Sequence, residues 1–361
     1  MDRALALARS FAHRTCPNPS VGCVITDGQG RLLGEGHTQP VGGPHGEVMA
    51  LRDAATRGHD VRGATVHVTL EPCSHQGRTG PCCDALVAAG VGKVIASLAD
   101  PNPRVAGQGF ERLRAAGIAV EVGPGAAQAR EINLGFFSRM VRGTPWVRMK
   151  VAASLDGTTA LHNGSSQWIT SEAAHADGHA WRARAGAVLT GIGTVQQDDP
   201  RLDVRLFDTP RQPIAVLVDS QLALEPAARL FQPGRPLLVY CAQADTARRA
   251  ALQSAGATVI ALPGPGGKVD LAALLQDLGR REINDLHVEA GHKLNGSLLR
   301  EGLVDELIVY LAPRLLGPGR GMAAIGPLDE LAGGVQLEFG AIAPVGPDLR
   351  VLARVAGRDR F

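Results

Sequence analysis

The amino-acid sequence predicts an α/β protein of two domains, from its length and from its pattern of apolar residues. With 361 residues, the chain exceeds one ordinary core, because a domain averages roughly 150 residues. In the first half, two strand-like runs precede alternating helices and strands, which indicates a mixed sheet with flanking helices. The pattern restarts near Gly143-Thr144-Pro145. We therefore expect domains at 1–145 and 146–361, each with its own core.

The elements of the first half follow from turn residues and apolar spacing. Asp and Gly within 26–30 separate two strand-like runs, which predicts a hairpin. Apolar residues recur at helical spacing after Pro44, so a helix is expected to begin near His45. The predicted strands are 21–25, 31–36, 66–70, 93–98 and 118–122, and the further helices are 83–89 and 110–116.

The second half repeats the alternation with different residues. Ser171 has the residue type of a helix N-cap and predicts a helix over 171–184. Further helices are expected between several of the strands, which makes this a second α/β domain. Its predicted strands are 146–153, 187–190, 214–219, 237–240, 258–262, 285–289 and 306–311.

Composition excludes several classes of protein. The formal net charge of +2, from 37 basic and 35 acidic residues, provides no strong field for nucleic acid or anionic lipid. The chain has no run of 18 apolar residues, and residues 1–11 lack the apolar stretch of a signal peptide. Six cysteines are too sparse for a disulfide framework and suit a reducing compartment. A cytoplasmic protein without nucleic-acid or membrane partners is therefore expected.

One constellation in the first half predicts a metal site. Pro44-His45-Gly46-Glu47, Cys73 and Cys82 supply an imidazole, two thiolates and a nearby carboxylate. Two thiolates favour zinc, and three protein ligands leave one coordination position for water, whose pKa zinc lowers to about 7. Cys73 follows a predicted strand, while His45 and Cys82 lie at predicted helix starts, where thiolate is favoured over thiol. Cys83 could bind the metal in place of the adjacent Cys82, although helix geometry should point the Cys83 side chain in another direction.

The spacing of the cysteines departs from the general signature of zinc deaminases. That signature is His-x-Glu followed by Pro-Cys-x-x-Cys, in which the Glu is the acid/base group and not a ligand. Here eight residues, from Ser74 to Pro81, separate Cys73 from Cys82. A longer loop still permits a site, because the entropic cost of closing it grows slowly with length.

Three segments closely resemble the bifunctional riboflavin-biosynthesis deaminase/reductase family. They are Asn18-Pro19-Ser20-Val21-Gly22, His45-Gly46-Glu47-Val48 and the run from Thr69 to Cys82, which includes Gly77-Arg78-Thr79 and the eight-residue gap. The resemblance implies a cytidine-deaminase-like mixed sheet with flanking helices. It also implies that His45, Cys73 and Cys82 bind Zn2+ and that Glu47 shuttles protons. Asn18 and Asp100, the latter in Asp100-Pro101-Asn102-Pro103, match segments that line the family's pyrimidine pocket.

Gly46 is a departure from the family pattern, which usually has Ala between the His and the Glu. Glycine costs roughly 0.5 to 1 kcal/mol in a helix interior but less near the helix start. We therefore expect reduced local rigidity and retained activity.

The second half resembles the family's reductase domain, whose fold is like dihydrofolate reductase. A Rossmann motif is absent, because Gly191-Ile192-Gly193 has Gln196 where a third glycine is needed. The resemblance implies NADPH as cofactor, with its phosphates near Gly291, which leads toward a helix at Asn295-Gly296-Ser297. The implied cofactor contacts are Ala152, Trp168, Thr194, Asp198, Ser220, Gly291, His292, Lys293, Leu294, Asn295, Gly296 and Ser297.

The same resemblance implies a set of substrate contacts in this half. They are Ser166, Arg182, Leu202, Arg205 and Glu289. Arg182 and Arg205 have the side chains to grip a phosphate bidentately. Without the resemblance, Trp168 would be read as a core residue, Asp198 as part of a turn and Glu289 as a strand cap.

Lys150 has two interpretations. It is either a strand lysine that extends to the surface or a residue of the reductase active site with a chemical role that arginine cannot take over. Lysine can lose its proton or stabilise an open-chain sugar imine, whereas arginine stays charged.

The leading hypothesis is an enzyme for two consecutive steps of riboflavin synthesis, acting on a phosphoribosyl pyrimidine with Zn2+ and NADPH, as a homo-oligomer. In the first alternative, the zinc deaminase acts on another nucleobase and the C-terminal half is accessory. Nucleic-acid binding would favour stacking aromatics, yet only 4% of residues are aromatic. In the second alternative, a structural zinc module uses Cys83 or His75 as its fourth ligand.

Overall fold

The computed structural model describes residues 1–12, 14–76, 80–102, 105–243 and 245–361. The motif residues Gly77, Arg78, Thr79 and Pro103 lie outside these ranges. The chain forms two compact units, Met1–Gly143 together with Phe361, and Thr144–Arg360. None of the helices in the described ranges has the length and apolar character needed to cross a membrane.

The first unit is a five-stranded mixed sheet in the order β2-β1-β3-β4-β5. β1 is antiparallel to β2 and β3, and β3, β4 and β5 are parallel. The elements of this unit are α1 (Asp2–Phe11), β1 (Gly22–Thr26), β2 (Leu32–His37), α2 (Gly46–Thr56), β3 (Thr65–Val68), α3 (Cys82–Ala88), β4 (Lys93–Ala96), α4 (Gln108–Ala115), β5 (Ala119–Val122), α5 (Ala126–Ile132) and α6 (Leu134–Arg142).

The predicted strands and helices of this unit are present, whereas α1, α5 and α6 were not predicted. α1 packs against β1 through the buried Ala4, Leu5 and Ala8. A Cβ atom on Gly22 would lie only 1.9 Å from the Ala4 carbonyl oxygen, so this close approach requires glycine.

The second unit contains a nine-stranded sheet in the order β11-β10-β9-β8-β12-β6-β13-β16-β15. Its elements are β6 (Trp146–Ser154), β7 (Ala160–Leu161), α7 (Glu172–Arg184), β8 (Ala187–Gly191), α8 (Ile192–Asp198), β9 (Ile214–Val218), β10 (Leu237–Cys241), α9 (Thr246–Ser254), β11 (Ala257–Ala261), α10 (Leu271–Arg280), β12 (Asp285–Val288), α11 (His292–Arg300), β13 (Glu306–Ala312), β14 (Gly319–Arg320), β15 (Leu337–Val345) and β16 (Asp348–Val355), with 3-10 turns at Pro265–Gly267 and Leu331–Gly333.

Parallel pairing brings the carboxyl ends of most strands in this sheet to one edge. The strands from β11 to β13 are parallel to their neighbours, and β16 and β15 add an antiparallel hairpin. The carboxyl edge of parallel strands is where α/β sheets bind ligands. The Ser171 cap is confirmed, since its Oγ accepts the Ala174 N–H at 3.4 Å. The β15–β16 hairpin was not predicted.

Candidate active sites

In the first unit, three side chains from separate elements converge on one point. His45 is the N-cap of α2, Cys73 follows β3, and Cys82 is the first residue of α3. The His45 Nδ1 atom lies 3.6 Å from Cys73 Sγ and 3.3 Å from Cys82 Sγ. The three potential ligand atoms all lie within 4.8 Å of one another.

This donor set fits zinc in both chemistry and spacing. With Zn–S of about 2.3 Å and Zn–N of about 2.0 Å, tetrahedral geometry places sulfur and nitrogen ligands about 3.5 Å apart. The observed separations of 3.6 and 3.3 Å match that requirement. Among the described residues, no further His, Cys, Asp or Glu joins the group.

Glu47 lies in the first turn of α2 and is only 3% exposed. Its Oε2 atom has no hydrogen-bond partner among the described residues. Burial raises the pKa of Glu47 to about 7, with Cys73 adding to the effect and His45 opposing it. A carboxyl group with this pKa can both accept and donate a proton near neutral pH.

The two ligand thiols differ in their preference for ionisation. Hydrogen bonds from Cys82 and His45, opposed by burial, lower the pKa of Cys73 to about 4, and the Cys73 neighbour and burial raise the pKa of Cys82. The Cys82 N–H at the start of α3 donates to Cys73 Sγ at 3.3 Å. The start of α3 therefore stabilises thiolate at Cys73 through the Cys82 N–H, and its effect on the Cys82 thiol stays a prediction.

Cys83 points away from the other ligands, as helix geometry predicts. Its Sγ donates to the Pro72 carbonyl at 3.1 Å and to the Gly109 carbonyl at 3.5 Å. Burial raises the pKa of Cys83 to about 12. A structural site with Cys83 as fourth ligand is therefore not supported, and His75 is not part of the group either.

The Gly46 position has a packing explanation that the sequence did not indicate. A Cβ atom there would lie 2.8 Å from the Val21 carbonyl oxygen and 3.4 Å from the His37 Cα. The missing side chain thus lets the start of α2 approach β1 and β2 closely. Alanine at this position would require a small backbone shift.

Asp100 is buried, and the segment just after Asn18 is held by a distant side chain. Asp100 is 9% exposed, and burial raises its pKa to about 7, with Cys73 among the contributing charges. Asn18 precedes Ser20, whose N–H and carbonyl both bond the buried Asn133 side chain, at 2.7 and 3.0 Å. Asn133 was missed because its partner lies 113 residues away in sequence.

In the second unit, several predicted cofactor residues gather at the carboxyl edge of the sheet. Thr194 and Asp198 belong to α8, Ser220 follows β9, and Gly291 follows β12. A Cβ atom on Gly291 would lie 3.7 Å from Thr194 Oγ1, so these two residues adjoin. Ala152 lies on β6 and is partly exposed near the same edge.

Trp168 is exposed, contrary to its interpretation as a core residue. It is 66% accessible and contacts His175 with the two rings tilted by 57° and their centroids 4.3 Å apart. The preceding Gln167 donates its Nε2–H to Asp198 Oδ1 at 3.1 Å. This bond links the segment of Ser166 and Trp168 to α8.

The helix expected at Asn295-Gly296-Ser297 is present as α11, which begins at His292. Asn295 is buried and its Nδ2 donates to the Met322 carbonyl at 3.0 Å. A Cβ atom on Gly296 would lie 2.2 Å from the Ala324 carbonyl oxygen, so this glycine serves close packing. The amides available to a phosphate are thus those of the first turn, at His292, Lys293 and Leu294, while Ser297 bonds within the helix.

Two of the predicted substrate contacts bind each other. Arg182 donates from Nε and Nη2 to the two carboxylate oxygens of Glu289, the latter at 2.9 Å. Its Nη1 donates to the Asp203 carbonyl at 3.0 Å. Glu289 therefore occupies the Nε and Nη2 edge of Arg182. The predicted bidentate contact with a phosphate through this edge would require Arg182 to release Glu289.

The other predicted substrate contacts differ in accessibility. Arg205 is partly exposed, and its Nη1 bonds Asp203 Oδ1 at 2.8 Å. Ser166 is partly exposed. Leu202 is 3% exposed within a core cluster and its carbonyl accepts from Arg235, and its contact with the substrate stays a prediction.

Lys150 lies on β6, with its Nζ 5.9 Å from the centre of the Tyr310 ring. Burial lowers the pKa of Lys150, opposed by Glu289 and reinforced by Arg182. The side chain of Lys150 is partly accessible, and both interpretations of this lysine stay predictions.

Comparison with known proteins decides the family. Residues 1–98 match the cytidine and deoxycytidylate deaminase zinc-binding region, and residues 145–351 match the RibD C-terminal domain. The Escherichia coli (strain K12) riboflavin biosynthesis protein RibD is 46% identical over 362 residues, covering 97% of this chain and 96% of that protein. The chain belongs to the RibD family.

Solved RibD structures share the fold over the whole chain. Acinetobacter baumannii RibD has a TM-score of 0.89 and 40% identity, covering 98% of this chain and 97% of that chain. A deaminase/reductase from Thermotoga maritima has a TM-score of 0.85 and 30% identity, covering 99% and 97%.

Membership of the RibD family confirms several predictions. The chain is a bifunctional riboflavin-biosynthesis enzyme, a hydrolase and an oxidoreductase, that acts on small molecules. It has a cytidine-deaminase-like zinc domain followed by a reductase domain that uses a nicotinamide cofactor. The alternative in which the C-terminal half is merely accessory is not supported.

Proposed function

We propose that this RibD-family enzyme first deaminates 2,5-diamino-6-(5-phosphoribosylamino)pyrimidin-4(3H)-one and then reduces the ribosyl side chain of the product to ribityl with NADPH. We assign the deaminase to residues 1–145 and the reductase to 146–361. The observation that carries the first assignment is the convergence of His45, Cys73 and Cys82 beside the buried Glu47.

In the proposed deamination, His45, Cys73 and Cys82 hold zinc, which supplies Lewis acidity to activate water when bound. Glu47 then accepts a proton at its carboxylate and delivers it to the departing amino nitrogen. The buried Oε2 atom of Glu47, which lacks a partner among the described residues, is available for that transfer. Asp100 and Asn18 are proposed to orient the pyrimidine beside it.

In the proposed reduction, the NADPH phosphates lie at the start of α11, near Gly291, His292 and Lys293, where unpaired amides favour anions. Thr194 and Ser220 provide hydroxyl groups at the same edge of the sheet. Bound NADPH supplies the hydride. Arg205 is proposed to bind the substrate phosphate. Lys150, whose pKa is influenced by Glu289, is proposed to assist the proton transfer that opens the sugar ring to the imine, whose carbon then accepts hydride.

We also propose a cytoplasmic homo-oligomer. All six cysteines are free thiols, which suits a reducing compartment. The edge strand β15 exposes Phe339 and Ile342, at 75% and 53% of their surface, and exposed apolar edges favour pairing with another chain.

The proposed order of reactions is tested by supplying the diamino-pyrimidinone phosphoriboside with and without NADPH. Ammonia should be released without NADPH, and NADPH should be oxidised only after deamination. A parallel reaction with NADH measures the preference for the 2′-phosphate. NADPH oxidation in the absence of ammonia release would contradict the order.

Glu47→Gln is expected to reduce deamination by about a hundredfold or more, because general acid–base catalysis contributes that much. Glutamine retains the size of the side chain but cannot carry the proton. Ammonia release measures the effect, and zinc content and reduction of the deaminated substrate serve as internal controls. Loss of zinc from this variant would instead make Glu47 a structural support.

Lys150→Arg is expected to preserve NADPH affinity and slow reduction, since arginine keeps its proton at all relevant pH values. The readouts are the dissociation constant of NADPH and the rate of NADPH oxidation. Lys268→Arg, on the exposed surface of the same unit, is the matched control and should change neither. Unchanged turnover in Lys150→Arg would contradict the role.

A further inference from the structure

We infer that Glu71 is a positioning residue for deamination, whose carboxylate holds the Asp100 segment against the turn that carries Cys73. This inference rests on the proposed deaminase function and adds a residue to it. Glu71 stands two positions before Cys73 in the sequence, and the motif alone assigns it no role.

The Glu71 carboxylate is buried and accepts four backbone N–H groups from a distant segment. Its Oε2 atom accepts from Asp100 and Gly107, both at 3.0 Å. Its Oε1 atom accepts from Gly109 at 2.9 Å and from Phe110 at 3.4 Å. Hydrogen bonds to an ionised acceptor are roughly twice as strong as neutral ones. One side chain therefore fixes both ends of the segment from 100 to 110.

Glu71 also takes the place of a local cap for α4. The N-cap of α4 is Gly107, which has φ of 88° and no side chain to accept a hydrogen bond. The first amides of a helix lack partners within it, and the helix dipole favours a negative charge at this end. The Glu71 carboxylate lies outside the helix, accepts hydrogen bonds from the first amides of α4 and supplies a negative charge at this end.

A second contact holds the turn before Cys73 against the start of α4. These two segments together form the junction between the metal site and α4. A Cβ atom on Gly109 would lie 2.1 Å from the Pro72 carbonyl oxygen, so α4 begins directly against the ligand-bearing turn. The Cys83 thiol donates to that Pro72 carbonyl at 3.1 Å. The turn before Cys73, the start of α3 and the start of α4 are thus held together.

This junction determines where Asp100 lies relative to the zinc donors. The Asp100 N–H is bonded to Glu71, and Asp100 Oδ1 accepts the Asn102 N–H at 2.8 Å. Glu71, which accepts the Asp100 N–H, stands two residues before Cys73, so one turn supports both residues. If Glu71 no longer holds the segment, Asp100 moves while His45, Cys73 and Cys82 keep their own supports.

A role in positioning predicts a change in KM that a purely structural role does not. Glu71→Gln replaces an acceptor oxygen with an NH2 group that faces backbone N–H donors. We expect KM for deamination to rise about tenfold or more, because small misplacements of binding groups are costly. The kcat, the zinc content and the reductase activity should stay within about threefold of wild type.

Glu111→Gln is the matched control. Glu111 is an exposed carboxylate on the same helix, so the variant makes the same chemical change without touching the junction. Its KM should equal that of wild type. An equal rise in KM for both variants would mean that helix charge, and not the junction, is responsible.

A double-mutant cycle with Asp100→Asn tests whether Glu71 changes KM for deamination through Asp100. If Glu71 acts through Asp100, adding Glu71→Gln to Asp100→Asn should raise KM by less than about threefold. Fully multiplicative effects would overturn the inference. If Glu71→Gln does not fold, Gly109→Ala decides alone: it displaces the start of α4 from Pro72 and should raise KM with zinc retained.

The outcomes separate this inference from the proposed function. If the wild-type enzyme releases no ammonia from the diamino-pyrimidinone, the proposed substrate is wrong. If wild type deaminates it and Glu71→Gln has the wild-type KM, only the role of Glu71 is wrong. Zinc loss with a parallel fall in kcat would make Glu71 a structural support of the metal site.

Discussion

Cys82→Ser should release zinc and abolish ammonia production, whereas Cys83→Ser should retain both. The two cysteines are adjacent at the start of α3, yet only Cys82 faces His45 Nδ1, at 3.3 Å. Cys83 Sγ instead bonds the Pro72 carbonyl. Serine in place of Cys82 removes one of two thiolates from a three-ligand site, and soft thiolates contribute much of the preference for zinc.

The measurement is the zinc content of each purified variant, with ammonia release and reduction of the deaminated substrate assayed in parallel. Reduction should persist in Cys82→Ser, because the reductase assignment involves a separate unit. Cobalt substitution of wild type adds a spectroscopic count of thiolate ligands. Zinc retained in Cys82→Ser but lost in Cys83→Ser would contradict the ligand assignment.

The zinc donors could be proposed from sequence because each occupies a position that local patterns define. Pro44 and apolar spacing place His45 at a helix start, and the end of a strand places Cys73. Helix geometry also indicates that adjacent Cys82 and Cys83 point in different directions. Local rules thus sufficed for the elements that carry the zinc donors, and the family resemblance supported the choice of ligands.

Residues that support the site could not be predicted in this way. Glu71 bonds backbone groups 29 to 39 residues away, and Asn133 bonds Ser20 across 113 residues. Backbone N–H groups leave no signature in a sequence, so nothing marks them as partners. Such contacts become visible only when tertiary structure brings the segments together.

The missed secondary structure has a related cause. α1 is alanine-rich and packs through small residues, so its apolar spacing gave little signal. β15 exposes Leu337, Phe339 and Ile342, so it lacks the alternation of a half-buried strand. In α11, Gly296 lies against the Ala324 carbonyl oxygen, a close contact that the sequence does not indicate.

Glu289→Ala should destabilise the second unit by about 3–5 kcal/mol, because it leaves a buried guanidinium without its counter-charge. Arg182 and Glu289 are 14% and 13% exposed and form a bidentate pair. Burial opposes ionisation of Glu289, but Arg182, His287 and Lys150 hold its pKa well below the usual range. The stability that ionised Glu289 contributes to the folded state is therefore fully present above its unfolded pKa of about 4.3. It is lost as the pH falls through the lower pKa of the folded state.

Arg182→Met should cost less than Glu289→Ala, because Lys150 remains as a positive neighbour of Glu289 while methionine fills the volume of the lost side chain. Arg280→Ala is the matched control. Arg280 is 65% exposed and shares Asp277 with Arg281, so its loss should change stability by less than about 1 kcal/mol. Urea unfolding of the full chain at pH 7 measures all three variants through tryptophan fluorescence, because the three tryptophans, Trp146, Trp168 and Trp181, all lie in the second unit. Equal destabilisation by Glu289→Ala and Arg280→Ala would show that the buried pair contributes no more to the free energy of unfolding than a surface pair. Arg182 could then exchange Glu289 for the substrate phosphate at little cost in stability.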